Sequence, residues 1–181
     1  MSKPHDRRVI TAFILASTAL AALFGYWPAL QGEFLFDDRI LLGEYDCWHG
    51  LKALPGILGI EGPNDCTYRP IRYISFAIDY EIAGEDTSLL HISNLLYHLV
   101  CGTVVFALLR CWGSATAAAI CTALWVLHPV NSDAVAYISG RRDVLSTLLY
   151  VLAFIQLRAH KSESIKRLRF GLGIGLFFLA F

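Results

Sequence analysis

The sequence predicts an all-α integral membrane protein: a multi-span helical bundle with a long extracytoplasmic first loop that carries short amphipathic helices. Three observations predict it. Of 181 residues, 56% are hydrophobic and 17% charged, with mean hydropathy +0.52; a soluble domain carries nearer a quarter charged residues. Four apolar runs are long enough to cross a hydrocarbon core of about 30 Å, which takes about 20 helical residues. Lys and Arg gather on one side of those runs. Formal net charge is zero, and the basic residues sit beside spans, where orientation accounts for them, so no nucleic-acid partner is expected.

The first run is "VITAFILASTALAALFGYWPAL", residues 9–30. Ala19-Leu20-Ala21 resembles a signal-peptide cleavage site. The run continues past it to Leu30, however, and Tyr26-Trp27 suits an interfacial aromatic belt, so a retained span is expected. Further spans fall at about 89–112, at 114–128, which is short, and at 139–157. A fifth run, 168–181, is still apolar where the sequence stops. The chain, 1–181, therefore reads as the N-terminal part of a longer membrane domain. Lys3, Arg7 and Arg8 precede the first span, Arg110 follows the second, and five more bases from Arg158 to Arg169 follow the fourth. If the spans alternate, all nine are cytoplasmic, as is the N-terminus. The loop of residues 31–88 and the short loop around 129–138 lie on the other side. Such a chain is a multi-pass protein of a bacterial inner membrane or an ER membrane.

The long loop holds eleven acids against four bases, a balance of minus seven. A loop of this length between spans is functional or a small folded element. Ile71, Ile74 and Ile78 recur at helical spacing, with Arg72, Asp79 and Glu81 elsewhere on the wheel. This predicts an amphipathic helix, either on the outer leaflet or buried within the loop, with Pro70 in its first turn. Cys47 and Cys66 form a disulfide if the fold brings their Cα atoms within about 7 Å, which spacing leaves open.

Polar residues recur where polarity is expensive. The second span opens "LLHISNLLYHLV", placing His91, Asn94 and His98 on one stripe about 60° wide. They form either an interhelical hydrogen-bond seam or the wall of a substrate groove. Metal binding by the two histidines is disfavoured, because seven residues separate them by about 10 Å along the axis. The loop between the third and fourth spans reads "LHPVNSDAVAYISGRRDVL". Pro129 ends the third helix, and Asn131 or Ser132 can cap the next. Arg141 and Arg142 stand on the non-cytoplasmic side, against the positive-inside bias. Either a phosphate ligand or an ion pair with Asp133, Asp143 or a first-loop acid explains them. Asp37 and Asp38, in "GEFLFDDRI" at the root of the long loop, are either loop residues or chemistry.

In order, "FLFDD" after the first span, "YRP" late in the loop, HxxNxxxH in the second span and "HPVNSDAVAYISGRRDVLS" before the fourth resemble the membrane part of the transmembrane-and-TPR O-mannosyltransferases and their bacterial relatives. These are GT-C type glycosyltransferases. The resemblance runs from about Tyr26 to Leu157. Where the family commonly has His and Thr after HPV, then Glu, this chain has Asn131, Ser132 and Asp133, one methylene shorter at the acid. The resemblance implies transfer of a sugar, mannose in the eukaryotic members, on the extracytoplasmic face. The donor would be a polyprenyl-phosphate-linked sugar and the acceptor a protein or glycan hydroxyl. It also implies that Asp37 and Asp38 are the catalytic acidic site.

The chemistry suits those residues. Glycosyl transfer needs a base near the attacking hydroxyl and fixed positive charge for the departing phosphate. One of Asp37 and Asp38 would be the base, leaving the other to orient an arginine, cap a helix or hold a divalent cation. Arg69, Arg141 and Arg142 are the phosphate candidates, with His91 or His98 beside them. Asn94, Asp133 and Asp143 complete the expected substrate-binding set. A transporter fragment would explain intramembrane histidines but not the long acidic loop. A non-catalytic scaffold with a partner-binding loop is the other rival reading.

Overall fold

The computed structural model describes residues 4–32, 38–39, 48–58, 69–157 and 163–179. Every regular element among them is helical. Cys47, Cys66 and Asp37 lie outside the described residues.

Helix α1, Pro4–Tyr26, tightens into a 3-10 turn at Trp27–Gln31. Pro28 lacks an N–H and its ring would clash with the preceding α-turn, so the α-helix stops before it. The combined segment Asp6–Gln31 is 26 residues long with hydropathy 2.0. In the long loop, a 3-10 turn at Leu51–Ala53 leads into the short helix α2, Leu54–Leu58, and helix α3 covers Pro70–Ala83 with Pro70 in its first turn. Helix α4, Thr87–Leu109, starts two residues before the expected span, because the Asp86 side chain caps it by accepting from Ser88 N–H at 2.9 Å. It is the second helix long and apolar enough to cross a membrane.

Helix α5, Ala115–Val126, is capped by Ser114, whose side chain accepts from Ala117 N–H. Its 12 residues measure about 18 Å, well short of a hydrocarbon core. A 3-10 turn begins at Pro129, then come helix α6, Ser132–Ala136, a 3-10 turn at Ile138–Gly140, and helix α7, Arg141–Leu157. Asn131 precedes α6 but makes no side-chain cap; its amide donates to the Trp125 carbonyl at the end of α5 instead. Helix α8, Glu163–Leu179, begins before the last apolar run and packs on α7. Gly173 permits that approach: a Cβ there would lie 2.8 Å from Leu157 Cγ.

Helix α4 sits centrally, against α5, α7 and the turn after α1. One apolar cluster joins Trp48, Ile57, Tyr73, Phe76, Ala77, Leu90 and Ile138, so the long loop packs onto the tops of α4 and α7. A second joins Ala22, Leu95, Val126, Val135 and Val144 lower in the bundle. The outer surface is apolar, with Phe13 72%, Phe24 79%, Leu124 67% and Phe178 70% exposed.

Of the two placements left open for helix α3, its isoleucines are not its buried side: Ile71 and Ile74 are half-buried and Ile78 is exposed. Its buried side is the polar one, with Arg72, Ser75, Phe76 and Asp79 inside, while Ile78 and Ile82 are exposed. The reason is electrostatic: Asp79 is drawn inward to a buried arginine, and the isoleucines are left on the apolar outer surface.

Candidate functional site

The centre of the polar interior is Arg141, the first residue of α7, with 0% exposure. Its Nε donates to Asn94 Oδ1 at 2.6 Å, its Nη1 to Ser75 Oγ at 3.3 Å and its Nη2 to the Leu90 carbonyl at 2.9 Å. Nη1 also stands 2.6 Å from Asp79 Oδ2, a contact that is ionic rather than a well-angled hydrogen bond. The guanidinium carbon lies 4.2 Å from the Phe76 ring centroid and 5.5 Å from that of Tyr97. One cation thus ties α3, α4 and α7 together. Of the two explanations open for Arg141, the ion pair with a first-loop acid is the arrangement present.

The histidine–asparagine stripe of α4 is wholly buried, at 3%, 0% and 2% exposure for His91, Asn94 and His98. Asn94 receives Arg141 on its oxygen, and its amide nitrogen donates to the carbonyls of Tyr137 at 3.0 Å and Ile138 at 3.3 Å. His98 Nε2 lies 3.0 Å from the Val126 carbonyl, and its ring stacks on Trp125. These two residues form a seam holding α4 to α5 and to the 135–138 stretch. His91 differs: its ring lies near the backbone of Gly32 and Ala136, but neither ring nitrogen makes a hydrogen bond of good geometry with a described residue.

Asp38 is 1% exposed. Its Oδ1 accepts from Ser139 N–H at 2.8 Å and from the Ser139 hydroxyl. The root of the long loop is therefore pinned to the 3-10 turn before α7, within electrostatic reach of His91. Gly140 makes that turn possible: a Cβ there would lie 2.8 Å from the carbonyl oxygens of Asp133 and Ala134, which are backbone and cannot yield.

Asp133, Arg142 and Asp143 are exposed. Arg142 Nε lies 3.3 Å from Asp143 Oδ1, an exposed pair of little energetic weight. On the facing side, Arg72 Nη2 donates to Tyr73 Oη at 2.9 Å, while its buried Nε has no hydrogen-bond partner among the described residues. Burial pulls the Arg72 guanidinium below its ordinary pKa; Tyr73 opposes this, and the positive charges of Arg69 and Arg142 add to it. No group of three or more His, Cys, Asp or Glu among the described residues is placed to hold a metal ion.

Sequence reasoning missed Ser139, Asp79, Ser75, Arg72 and Gly140 as site residues. Asp79 carried a signal, as a lone acid inside "ISFAID" at i+7 from Arg72 and so on the same helix face.

An acid buried at the root of a long loop, a polar interior under that loop and an apolar exterior define a chain that is helical in its described elements and of membrane character, with a polar site at one end. Comparison with known proteins agrees with that class. Protein O-mannosyl-transferase Tmtc1 of Drosophila melanogaster is 27% identical over 177 residues, which is 88% of this chain and 21% of the relative. Human Protein O-mannosyl-transferase TMTC1 is 29% identical, over 77% of this chain and 17% of its own length. Protein O-mannosyl-transferase tmtc2 of Xenopus laevis is 30% identical, over 82% and 19%. The chain is related, along most of its length, to the TMTC protein O-mannosyl-transferases, as the motif order implied. It spans about a fifth of the length of these curated relatives. No protein-family model and no solved structure matches it.

Proposed function

We propose that the chain belongs to the membrane domain of a multi-span GT-C type glycosyltransferase. In this reading it transfers a sugar, mannose by its relatives' names, from a polyprenyl-phosphate donor to a protein or glycan hydroxyl on the extracytoplasmic face. The observation that carries this reading is Asp38, a carboxylate buried at the root of the loop and aimed by two hydrogen bonds from Ser139. The activity for which the relatives are named supports the reaction class. The exposed apolar surface of α1, α5 and α8 supports a bilayer around the bundle.

In the proposed step the acceptor oxygen attacks the anomeric carbon, and the bond from that carbon to the phosphate oxygen breaks with its electron pair. The lipid phosphate leaves as an anion, and the acceptor proton passes to the Asp38 carboxylate. The two bonds from Ser139 to one carboxylate oxygen set the rotamer of Asp38. His91, with no hydrogen-bond partner of good geometry among the described residues, would bind the sugar or the acceptor. Asp37, adjacent to Asp38, is the alternative base.

The test is sugar transfer from a polyprenyl-phosphate donor in membranes holding the full-length protein, wild type against Asp37→Asn and Asp38→Asn at matched expression. Loss of a general base slows transfer by about 100-fold or more, and that loss is expected for Asp38→Asn. Unchanged transfer in both variants would return the acids to a structural role and favour a scaffold.

A further inference from the structure

His91 and His98 lie on one face of α4 and both are buried, yet only one is engaged. His98 reaches the Val126 carbonyl and stacks on Trp125, and Asn94 between them has partners on both its oxygen and its nitrogen. His91, at 3% exposure, has no hydrogen-bond partner of good geometry on either ring nitrogen among the described residues. We propose that His91 is a proton relay for Asp38: it takes from the carboxyl group the proton that the acceptor has given up and returns it to water. The inference rests on the glycosyltransferase reading and gives the ring a role that a binding contact alone does not.

Three observations support it. First, both ring nitrogens lack a partner among the described residues, not one. A neutral imidazole is a donor at one nitrogen and an acceptor at the other, so it takes a proton on one side and releases one from the other. A histidine kept for packing satisfies a nitrogen, as His98 does. Burying both without partners costs stability, and a group that binds or moves a proton during the reaction gives that cost a reason. Second, Asp38 needs a route for its proton. It is 1% exposed, and one of its two bonds from Ser139 is from a backbone N–H, which carries no proton away. After each transfer the carboxyl group must lose its proton before it acts as a base again. The charged groups that bear on the His91 ring are Asp38, at the root of the loop, and Arg141, at the start of α7. Arg141 stands 2.6 Å from Asp79, so its charge is compensated, and an imidazolium at His91 meets a restored carboxylate. An opposite charge nearby favours the charged ring. Third, the ring stands close to an exit. The backbone of Gly32 and of Ala136 lies beside it, and both residues are partly exposed. A Cβ on Gly32 would stand 3.3 Å from His91 Nε2 and 3.0 Å from the Ala29 carbonyl oxygen, so a glycine there keeps the approach to the ring open.

The acceptor proton passes first to Asp38 as the bond from the sugar to the phosphate breaks. The carboxyl O–H bond then breaks toward one imidazole nitrogen, which supplies the electron pair. The carboxylate is restored and the ring becomes an imidazolium. A water takes the proton from the other nitrogen, and exchange with water returns the neutral ring to its first tautomer. His91 thus acts through Asp38 and is needed for repeated turnover, not for the first transfer.

The experiment uses the full-length protein in nanodiscs, with polyprenyl-phosphate mannose as donor and a serine- and threonine-containing peptide as acceptor. Rapid quenching separates the first turnover from later ones. His91→Gln keeps a buried donor and acceptor but carries no proton. Its first turnover should stay near the wild-type rate, while later turnovers fall by about 100-fold, as expected for loss of a proton-transfer group. Added imidazole should restore part of the later turnovers of His91→Ala. Wild-type later turnovers in His91→Gln would overturn the relay. Equal loss of first and later turnovers would also overturn it and make His91 a substrate contact or a packing residue. Where the glutamine variant does not fold, the wild type decides: deuterium oxide should slow later turnovers more than the first, and equal slowing would refute the relay. No transfer by wild type, or full transfer by Asp38→Asn, would instead refute the reading on which the relay rests, and the relay with it.

Discussion

Replacing Arg141 with methionine removes the one cation that joins three helices. The loss is large because of what remains: the Asp79 carboxylate, at 7% side-chain exposure, is left beside a void with no counter-charge. Asn94 Oδ1 and the Leu90 carbonyl lose their donors at the same time. Breaking a buried pair from one side costs about 3–5 kcal/mol. For a chain of this size each kcal/mol moves the melting temperature by about 2–4 °C, so a fall of about 6–20 °C is expected in a detergent thermal-unfolding assay. Asp79→Leu should cost a similar amount, since it strands the guanidinium. The Arg141→Met, Asp79→Leu double variant removes both charges, and its loss should fall short of the sum by about 2 kcal/mol or more, the coupling expected of residues in contact. A strictly additive double variant, or a fall under about 3 °C for Arg141→Met, would refute the reasoning.

Ser139→Ala removes the hydroxyl that donates to Asp38 but keeps the backbone N–H; a stability loss of about 1–2 kcal/mol is expected, with reduced transfer by the full-length protein. Gly140→Ala forces a Cβ against two backbone carbonyls at 2.8 Å. It should destabilise by about 1–3 kcal/mol, and an unchanged melting temperature would show that the turn relaxes freely. His98→Phe keeps the stacking on Trp125 but loses the bond to the Val126 carbonyl, for an expected cost of about 1 kcal/mol in the same unfolding assay.

Helix positions were largely legible in the sequence because hydropathy and end signals are local. Pro28, Pro70 and Pro129 mark starts and stops, and Ser114 caps α5. Asp86 was harder to see as a cap because it sits among loop acids, so α4 begins earlier than its apolar run. The His91–Asn94–His98 stripe was legible as a face, since helical geometry alone places it, and all three side chains are buried. What each member does was not legible: it depends on neighbours about 28 to 47 residues away in sequence, such as Val126, Tyr137 and Arg141. The choice between the two placements of α3 stayed open for the same reason. Its isoleucines point outward because Asp79 has a partner on a helix some sixty residues later.

The two adjacent arginines carry the deepest consequence. Neighbouring residues on a helix point about 100° apart, so a cation pair at the start of α7 cannot serve one purpose. Arg141 turns inward, where α3 and α4 supply every partner it contacts. Arg142 turns outward to a cleft between the start of α3 and the first turns of α7, where described residues supply only Asp143. Two residues before Arg141, Ser139 grips Asp38. Four consecutive positions therefore fix an acid, lock the core and present a charge to an open cleft. The first and last of these, the anchor of the buried acid and the exposed guanidinium, stand on one short stretch of chain.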